Sequence, residues 1–186
     1  MRDAAIVSTA RTAIGKAYRG AFNDTEAPVI SAHVVDAALS RAGIDPARVD
    51  DVYLGCGNHS NTQSYNLGRL TVHTSRLPNT VGGFVLDRKC SSGLNAIALA
   101  ARSIICDEID VAVAGGVESV SLTLNKHTPA FRNRSQAVIA ADPYAYMAML
   151  ETAEVVAERY GITREAQDHF AALSQQRAGA AQAAGR

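Results

Sequence analysis

Along the first 118 residues the apolar positions alternate between two periodicities. Ala4 to Ser8 is a short continuous apolar run, the pattern of a strand covered on both faces. From Pro28 the spacing turns helical: Val35, Ala38, Leu39 and Ala42 share one face, and Gly43 stands where a left-handed residue would stop the helix. Ile44-Asp45-Pro46 predicts a turn, and Val52-Tyr53-Leu54 a second strand. The stretch 65–76 is moderately helical and ends at Leu77-Pro78. Gly83 to Leu86 predicts a further strand, which runs directly into Asp87-Arg88-Lys89-Cys90-Ser91-Ser92-Gly93.

The next segment, Leu94 to Ile105, is apolar around most of its circumference through Ala96, Ile97, Ala98, Leu99, Ala100, Ala101, Ile104 and Ile105. A helix of that kind belongs in an interior. It predicts a layered fold with this helix between sheets. Val111 to Ala114 predicts another buried strand, ending at Gly115-Gly116. Strand and helix in alternation argue for an α/β fold with a mainly parallel sheet.

After Glu118 the pattern breaks. Ser119 to Asp142 is polar and irregular, as in a loop-rich insertion. Two helices follow. Met149, Ala153, Val156, Ala157 and Tyr160 share a face of the first, with Gly161 as its stop. Thr163 is a good N-cap for the second, and Glu165 lies in its first turn. There is no internal repeat and no low-complexity linker.

Composition changes this picture little. Eighteen basic and eighteen acidic residues give a formal net charge of zero, so nothing points to nucleic acid or an anionic surface as a partner. No apolar run is long enough to span a bilayer, and the amino terminus has no signal-like pattern. The cytoplasm is the expected compartment. The three cysteines, Cys56, Cys90 and Cys106, match no metal or redox spacing, and an odd count argues against a full set of internal disulfides. Neither a metal nor a bound cofactor is expected.

Among these thiols Cys90 has the reactive setting. It falls where a buried strand turns into a buried helix, so its sulfur is expected near a helix amino terminus. Unpaired amides and the helix dipole favour negative charge there, and Arg88 and Lys89 add positive charge. Such a site suits a thiolate nucleophile and would stabilise charge on a bound acyl group. Small neighbours, Ser91, Ser92 and Gly93, leave room for a substrate. A cysteine in an apolar domain is more commonly an inert small hydrophobe, and Cys56 and Cys106 are read that way.

Five segments carry a family resemblance. Residues 88–97, Arg-Lys-Cys-Ser-Ser-Gly-Leu-Asn-Ala-Ile, resemble the nucleophile segment of thiolases with its Cys-x-Ser signature. Residues 114–121, Ala-Gly-Gly-Val-Glu-Ser-Val-Ser, resemble the family's A-G-G-x-E-S-M-S turn, and residues 6–15 resemble its opening strand and loop. Asn66 and Arg69 match an N-x-x-R pair, and Glu151-Thr152-Ala153-Glu154 a later helix start. The chain is therefore identified as resembling the amino-terminal half of a thiolase. The implied fold is a thiolase-like layered α/β half: a βαβ core over residues 1–118 with a buried central helix, then the start of a loop domain over 119–186.

The resemblance implies that Cys90 accepts an acyl group from an acyl-CoA or 3-ketoacyl-CoA and passes it to CoA or to an acetyl-CoA carbanion. It makes the Cys90 backbone N–H part of an oxyanion site. It places Met149 in the acyl and pantetheine pocket, although ordinary helix packing explains that methionine equally well. CoA thioesters are then substrates, and the full enzyme a homodimer or homotetramer with Asn66 and Arg69 near the subunit contact.

Thiolases are about twice this length, and their later histidine, asparagine and second-cysteine motifs have no match here. His33, His59, His73, His127 and His169 sit in no corresponding context. A thiol nucleophile needs a base in hydrogen-bond reach, so the chain is expected to be inactive alone and to be a fragment of a longer enzyme. Asp87 stands where many thiolases have Asn, with no consequence legible. Ala148 and Leu150 replace the His and Gly that flank the methionine in acetyl-specific relatives, which implies a wider acyl pocket. A ketoacyl-synthase-type condensing enzyme, and a non-catalytic thiolase-like acyl-binding or assembly protein, remain open alternatives.

Overall fold

The computed structural model describes residues 2–185, which divide into two compact units, one running to Pro129 and one from Ala130 onward. The first unit is built from α1 (Ala27–Ala42), β1 (Asp51–Gly55), α2 (Leu67–Thr74), β2 (Gly82–Leu86), α3 (Ser92–Ile105), β3 (Ala112–Gly116) and the single turn α4 (Val120–Thr123). The three strands form one parallel sheet in the order β2-β1-β3. The helical period read from Pro28 yields α1, and Gly43 ends it in the left-handed conformation (φ 64°), its N–H closing on Leu39 and Ser40 carbonyls.

Period-two alternation in β1 sends side chains to two different layers. Val52 packs with Val35, Leu39 and Val72, and Leu54 with Ala27 and Leu67, so α1 and α2 cover one face. Tyr53 points the other way, against Ala96 and Ala100 of α3. Its ring meets Phe84 of β2 edge to face, with centroids 4.7 Å apart. The register pairs Tyr53 with both Phe84 and Ala114, which makes the α3 side of the sheet a row of matched residues. Asp50 ties the entrance of β3 to that of β1, its carboxylate accepting from the N–H groups of Asp110 (2.8 Å) and Val111 (2.9 Å).

Two expectations need correction. Ala4 to Ser8 forms no strand, and Ile6 and Val7 are 75% and 71% exposed. A strand needs an edge to pair with, and neither β2 nor β3 takes this segment. It is held instead by side chains at its two ends: Arg2 donates to the Ile104 and Ile109 carbonyls and pairs with Asp110, and Arg41 donates to the Thr9 carbonyl. For α3, the expected all-round burial is met on one face only. Ser92, Ala96 and Ala100 are buried against the sheet, whereas Leu94 and Ile97 on the rest of the surface are exposed. Among the described residues there is one sheet, so one face of α3 has a layer to pack on.

The second unit holds α5 (Gln136–Ala141), α6 (Met149–Tyr160) and α7 (Arg164–Ala183). Gly161 stops α6 in the left-handed conformation (φ 62°), and the Thr163 hydroxyl accepts from the Ala166 N–H to cap α7, both as the sequence predicts. None of these helices contains a buried residue.

Candidate functional site

Cys90 lies in the turn between β2 and α3, one residue before the Ser91 that precedes the helix, and it is exposed. Two features put it there. The first is a backbone crossing without side chains. A Cβ added to Gly55 would stand 2.3 Å from the Ser92 carbonyl carbon and 2.4 Å from the Gly93 nitrogen. One added to Gly116 would stand 3.0 Å from the Gly93 Cα. Only glycine lets the carboxyl ends of β1 and β3 run this close under the first turn of α3.

The second feature is a closed turn. The Ser92 hydroxyl, itself buried, donates to the Lys89 carbonyl (2.6 Å) and accepts from the Arg88 N–H (2.8 Å). Ser91 donates through its hydroxyl to the Arg88 carbonyl (2.8 Å), and the Ser92 N–H donates to the Lys89 carbonyl (3.0 Å). Lys89 takes the left-handed conformation (φ 49°), uncommon for a residue with a side chain. Asp87 holds it there, accepting from the Lys89 N–H (2.7 Å) and pairing with its ammonium. Burial pushes the Asp87 carboxyl up, but the Lys89 hydrogen bonds and the Lys89 and His59 charges outweigh this and bring it below the ordinary carboxylate value. The aspartate that had no legible consequence in the sequence thus clamps the residue before the candidate nucleophile.

Beneath this turn lies a polar network that the sequence reading missed. Gln63 is fully buried. Its carbonyl oxygen accepts from the Ser119 N–H, and its amide nitrogen donates to the Glu118 carboxylate and to the Asn58 carbonyl (2.7 Å). Glu118 accepts in turn from the Gly57 N–H (2.9 Å), and the Gly57 carbonyl accepts from the Lys89 ammonium (3.0 Å). Gln63 lies 55 residues from Glu118 in the chain, and no local pattern signals the pairing. The one available signal was Glu118 itself, in a segment already singled out.

The other two thiols differ from Cys90 in kind. Cys56 is 1% exposed, and burial, reinforced by the negative charges of Glu118 and Asp87 against one opposing backbone hydrogen bond, pushes its thiol up to about 11. It is a packed group whose sulfur accepts from the Gln63 amide (3.3 Å). Cys106 is exposed at the far end of α3. Among the described residues the Cys90 sulfur joins no hydrogen bond, and no cluster of His, Cys, Asp or Glu is arranged to hold a metal ion. Asn66 caps α2 and donates to the Gly83 carbonyl (2.8 Å), and Arg69 donates to the Val81 and Asn79 carbonyls, so both hold the approach to β2 within the chain. Met149 opens α6 in the second unit and is 78% exposed.

Comparison with known proteins gives a consistent result. The family model described as thiolase, N-terminal domain, matches residues 4–186. The chain is 39% identical to the 3-ketoacyl-CoA thiolase of Bacillus subtilis, covering 100% of this chain and 47% of that protein. It is 39% identical to the acetyl-CoA acetyltransferase of Cupriavidus necator, again over 100% of this chain and 49% of the other. A beta-ketoadipyl-CoA thiolase of Pseudomonas aeruginosa is 36% identical over 99% of this chain and 49% of its own length. The crystal structure of the Bacillus anthracis acetyl-CoA acetyltransferase superposes with a TM-score of 0.82 at 34% identity, over 100% of this chain and 49% of that one. The chain spans about half the length of the curated relatives it matches.

Proposed function

Because the chain belongs to the thiolase family through its N-terminal domain, we propose that it supplies the nucleophile of a thiolase-type acyltransferase, with Cys90 as the acyl acceptor. The Cys90 sulfur attacks the carbonyl carbon of an acyl-CoA or 3-ketoacyl-CoA. The bond to the departing CoA sulfur, or to C2 of the ketoacyl chain, breaks with its electron pair, and a Cys90 thioester remains. The acyl group then passes to CoA, or to an acetyl-CoA carbanion in the synthetic direction. One observation carries this reading: Cys90 is an exposed thiol in a hydrogen-bonded turn at the amino-terminal end of a helix, whose dipole favours a developing negative charge.

Met149 is proposed to line the acyl and pantetheine pocket, which its exposure leaves free to do. CoA thioesters are the proposed substrates, with no bound prosthetic group, and the working enzyme is a proposed homodimer or homotetramer. The proposed compartment is the cytoplasm. All three cysteines are free, which suits a reducing environment, and no helix among the described residues is long and apolar enough to cross a membrane. Residues 119–186 are read as the beginning of the family's loop domain.

The test is acyl capture. The chain is incubated with acetyl-CoA, and each cysteine peptide is analysed by mass spectrometry. Acetyl adduct on Cys90, with Cys106 unmodified, is the expected outcome. Equal labelling of Cys90 and Cys106 removes the assignment. Multiple turnover is not expected of the 186-residue chain by itself, since no side chain among the described residues hydrogen-bonds the Cys90 sulfur as a base must. Steady thiolase turnover by the purified chain would refute that part.

A further inference from the structure

We propose that Gln63 and Glu118 are a paired positioning device for Cys90, acting through Gly57 and Lys89. The proposal deepens the reading of Cys90 as acyl acceptor and rests on it. Gln63 is a fully buried polar side chain whose hydrogen-bonding capacity is used on both sides. Its orientation is dictated by its partners. The carbonyl oxygen faces a donor, the Ser119 N–H, and the amide nitrogen faces three acceptors, the Glu118 carboxylate, the Asn58 carbonyl and the Cys56 sulfur (3.3 Å).

What this holds is the carboxylate. One Glu118 oxygen receives the Gln63 amide, and the other receives the Gly57 N–H at 2.9 Å. A neutral amide at position 118 could accept only one of these two donors and would turn its own N–H toward the other. Gly57 is in turn wedged between Glu118 and Lys89. A Cβ on Gly57 would lie 3.2 Å from the Glu118 carboxylate and 3.4 Å from the Lys89 backbone. Its carbonyl takes the Lys89 ammonium at 3.0 Å. The chain of contacts therefore ends on the left-handed residue directly before Cys90, and that residue's carbonyl receives the buried Ser92 hydroxyl. Gln63 and Glu118 touch neither the sulfur nor a reacting atom. They fix the backbone on which the thiol is mounted.

Reversal of the pair gives a specific test. In Glu118→Gln a donor faces a donor at either Gly57 or Gln63. In Gln63→Glu two carboxylates face each other beside the Asn58 carbonyl. In the double variant the new glutamate accepts from the Ser119 N–H and from the new amide, whose oxygen accepts from Gly57. The Asn58 carbonyl and the Cys56 sulfur then lose their donor, but the link from position 63 through position 118 to Gly57 is restored.

The readout is the iodoacetamide alkylation rate of Cys90 in the intact chain, measured by peptide mass spectrometry with the exposed Cys106 as internal reference. Each single variant is expected to slow Cys90 by about threefold or more, while the double variant returns close to wild type, the non-additivity of residues in one network. Cys106 is expected to be unchanged throughout. A Cys90 rate that is unaltered or faster in the single variants overturns the proposal. So does a swap that recovers the thermal midpoint but leaves Cys90 slow, which marks the pair as structural only. Should wild-type Cys90 react no faster than Cys106, the acyl-acceptor reading fails, whereas the pairing is still judged by the ratio of variant to wild type.

Discussion

Replacing Gly55 with alanine tests whether the sheet–helix crossing places the Cys90 turn. The added Cβ would lie 2.3 Å from the Ser92 carbonyl carbon, 2.4 Å from the Gly93 nitrogen and 2.5 Å from the Ser92 oxygen. These are backbone atoms, so no rotamer change relieves the overlap, and α3 must lift from β1 by roughly 1 Å to reach ordinary carbon contact near 3.5 Å. Overpacking of a closed interior costs about 1–3 kcal/mol, and a clash with backbone on both sides belongs at or above the top of that range. Neighbouring glycines calibrate the series. Gly116→Ala meets the Gly93 Cα at 3.0 Å and the Gly55 oxygen at 3.1 Å, a mild overlap expected to cost about 1 kcal/mol. Gly115→Ala meets nothing within 4 Å and is expected to change stability by less than about 0.5 kcal/mol. Urea unfolding monitored by far-ultraviolet circular dichroism supplies the three values, with the slope compared to check that unfolding stays two-state. Alkylation of Cys90 in the same proteins reports on the turn, which is expected to be altered only in Gly55→Ala and Gly116→Ala. A Gly55→Ala protein as stable as Gly115→Ala would refute the crossing as the element that seats α3.

Three further outcomes follow from the charges and thiols. Cys56 keeps its proton in the folded chain up to about 11 against 9.0 for a free thiol, so the unfolded chain loses its proton first and stability falls as pH rises from 9 towards 11. At about 1.4 kcal/mol per unit the loss is about 2 kcal/mol, and urea midpoints of Cys56→Ala should lack this alkaline decline; parallel curves for the two proteins would count against it. Asp50 is held below the ordinary carboxylate value by the Val111 and Asp110 N–H groups, against a small opposing effect of burial, so its contribution is present at neutral pH and disappears as pH falls through its folded value. Asp50→Ala is expected to cost about 1 kcal/mol at pH 7, discounted for its exposure, with the gap from wild type closing as pH falls below the ordinary carboxylate range; a gap independent of pH would contradict the assignment. Asp87→Asn removes the Lys89 ion pair but keeps an acceptor for its N–H, so stability should drop by no more than about 1 kcal/mol and the difference should vanish in 1 M salt; a larger, salt-insensitive loss would show another role.

What the sequence disclosed was whatever depends on neighbours a few residues away. The helical spacing from Val35 to Ala42, the stops at Gly43 and Gly161 and the Thr163 cap each rest on local geometry, and each appears in the structure. The turn bearing Cys90 was legible because a β-run meets a helical run there without a linker. Long-range partners were not legible. Ala4 to Ser8 has the composition of a strand, but pairing depends on a partner far away in the chain, and the outer edges of β2 and β3 do not take it. The apolar circumference of α3 describes what the helix can bury, whereas Leu94 and Ile97 meet no second layer in this chain. Gln63 looks like an ordinary loop residue, since its partners lie five residues ahead of it in Asn58 and more than fifty beyond it in Glu118 and Ser119.

The site separates stability from reactivity in a way that follows from its construction. The seat of the Cys90 turn is a crossing of bare backbone, where a Cβ at Gly55 would overlap the Ser92 and Gly93 backbone and one at Gly116 would press on the Gly93 Cα. The setting of the thiol within that seat is made by hydrogen bonds from Asp87, from Ser92 and from the Gln63–Glu118 pair through Gly57 to Lys89. The outer part of this network is solvent-accessible, and exposed polar contacts contribute little to global stability although they restrict local geometry. Substitution at Gly55 or Gly116 should therefore change unfolding and Cys90 chemistry together. Substitution along the Glu118-to-Lys89 path should change Cys90 chemistry with a smaller change in unfolding. That path exists because Lys89 occupies a backbone conformation that a residue with a side chain seldom adopts unaided, and a left-handed turn of this kind persists only where its surroundings over-determine it.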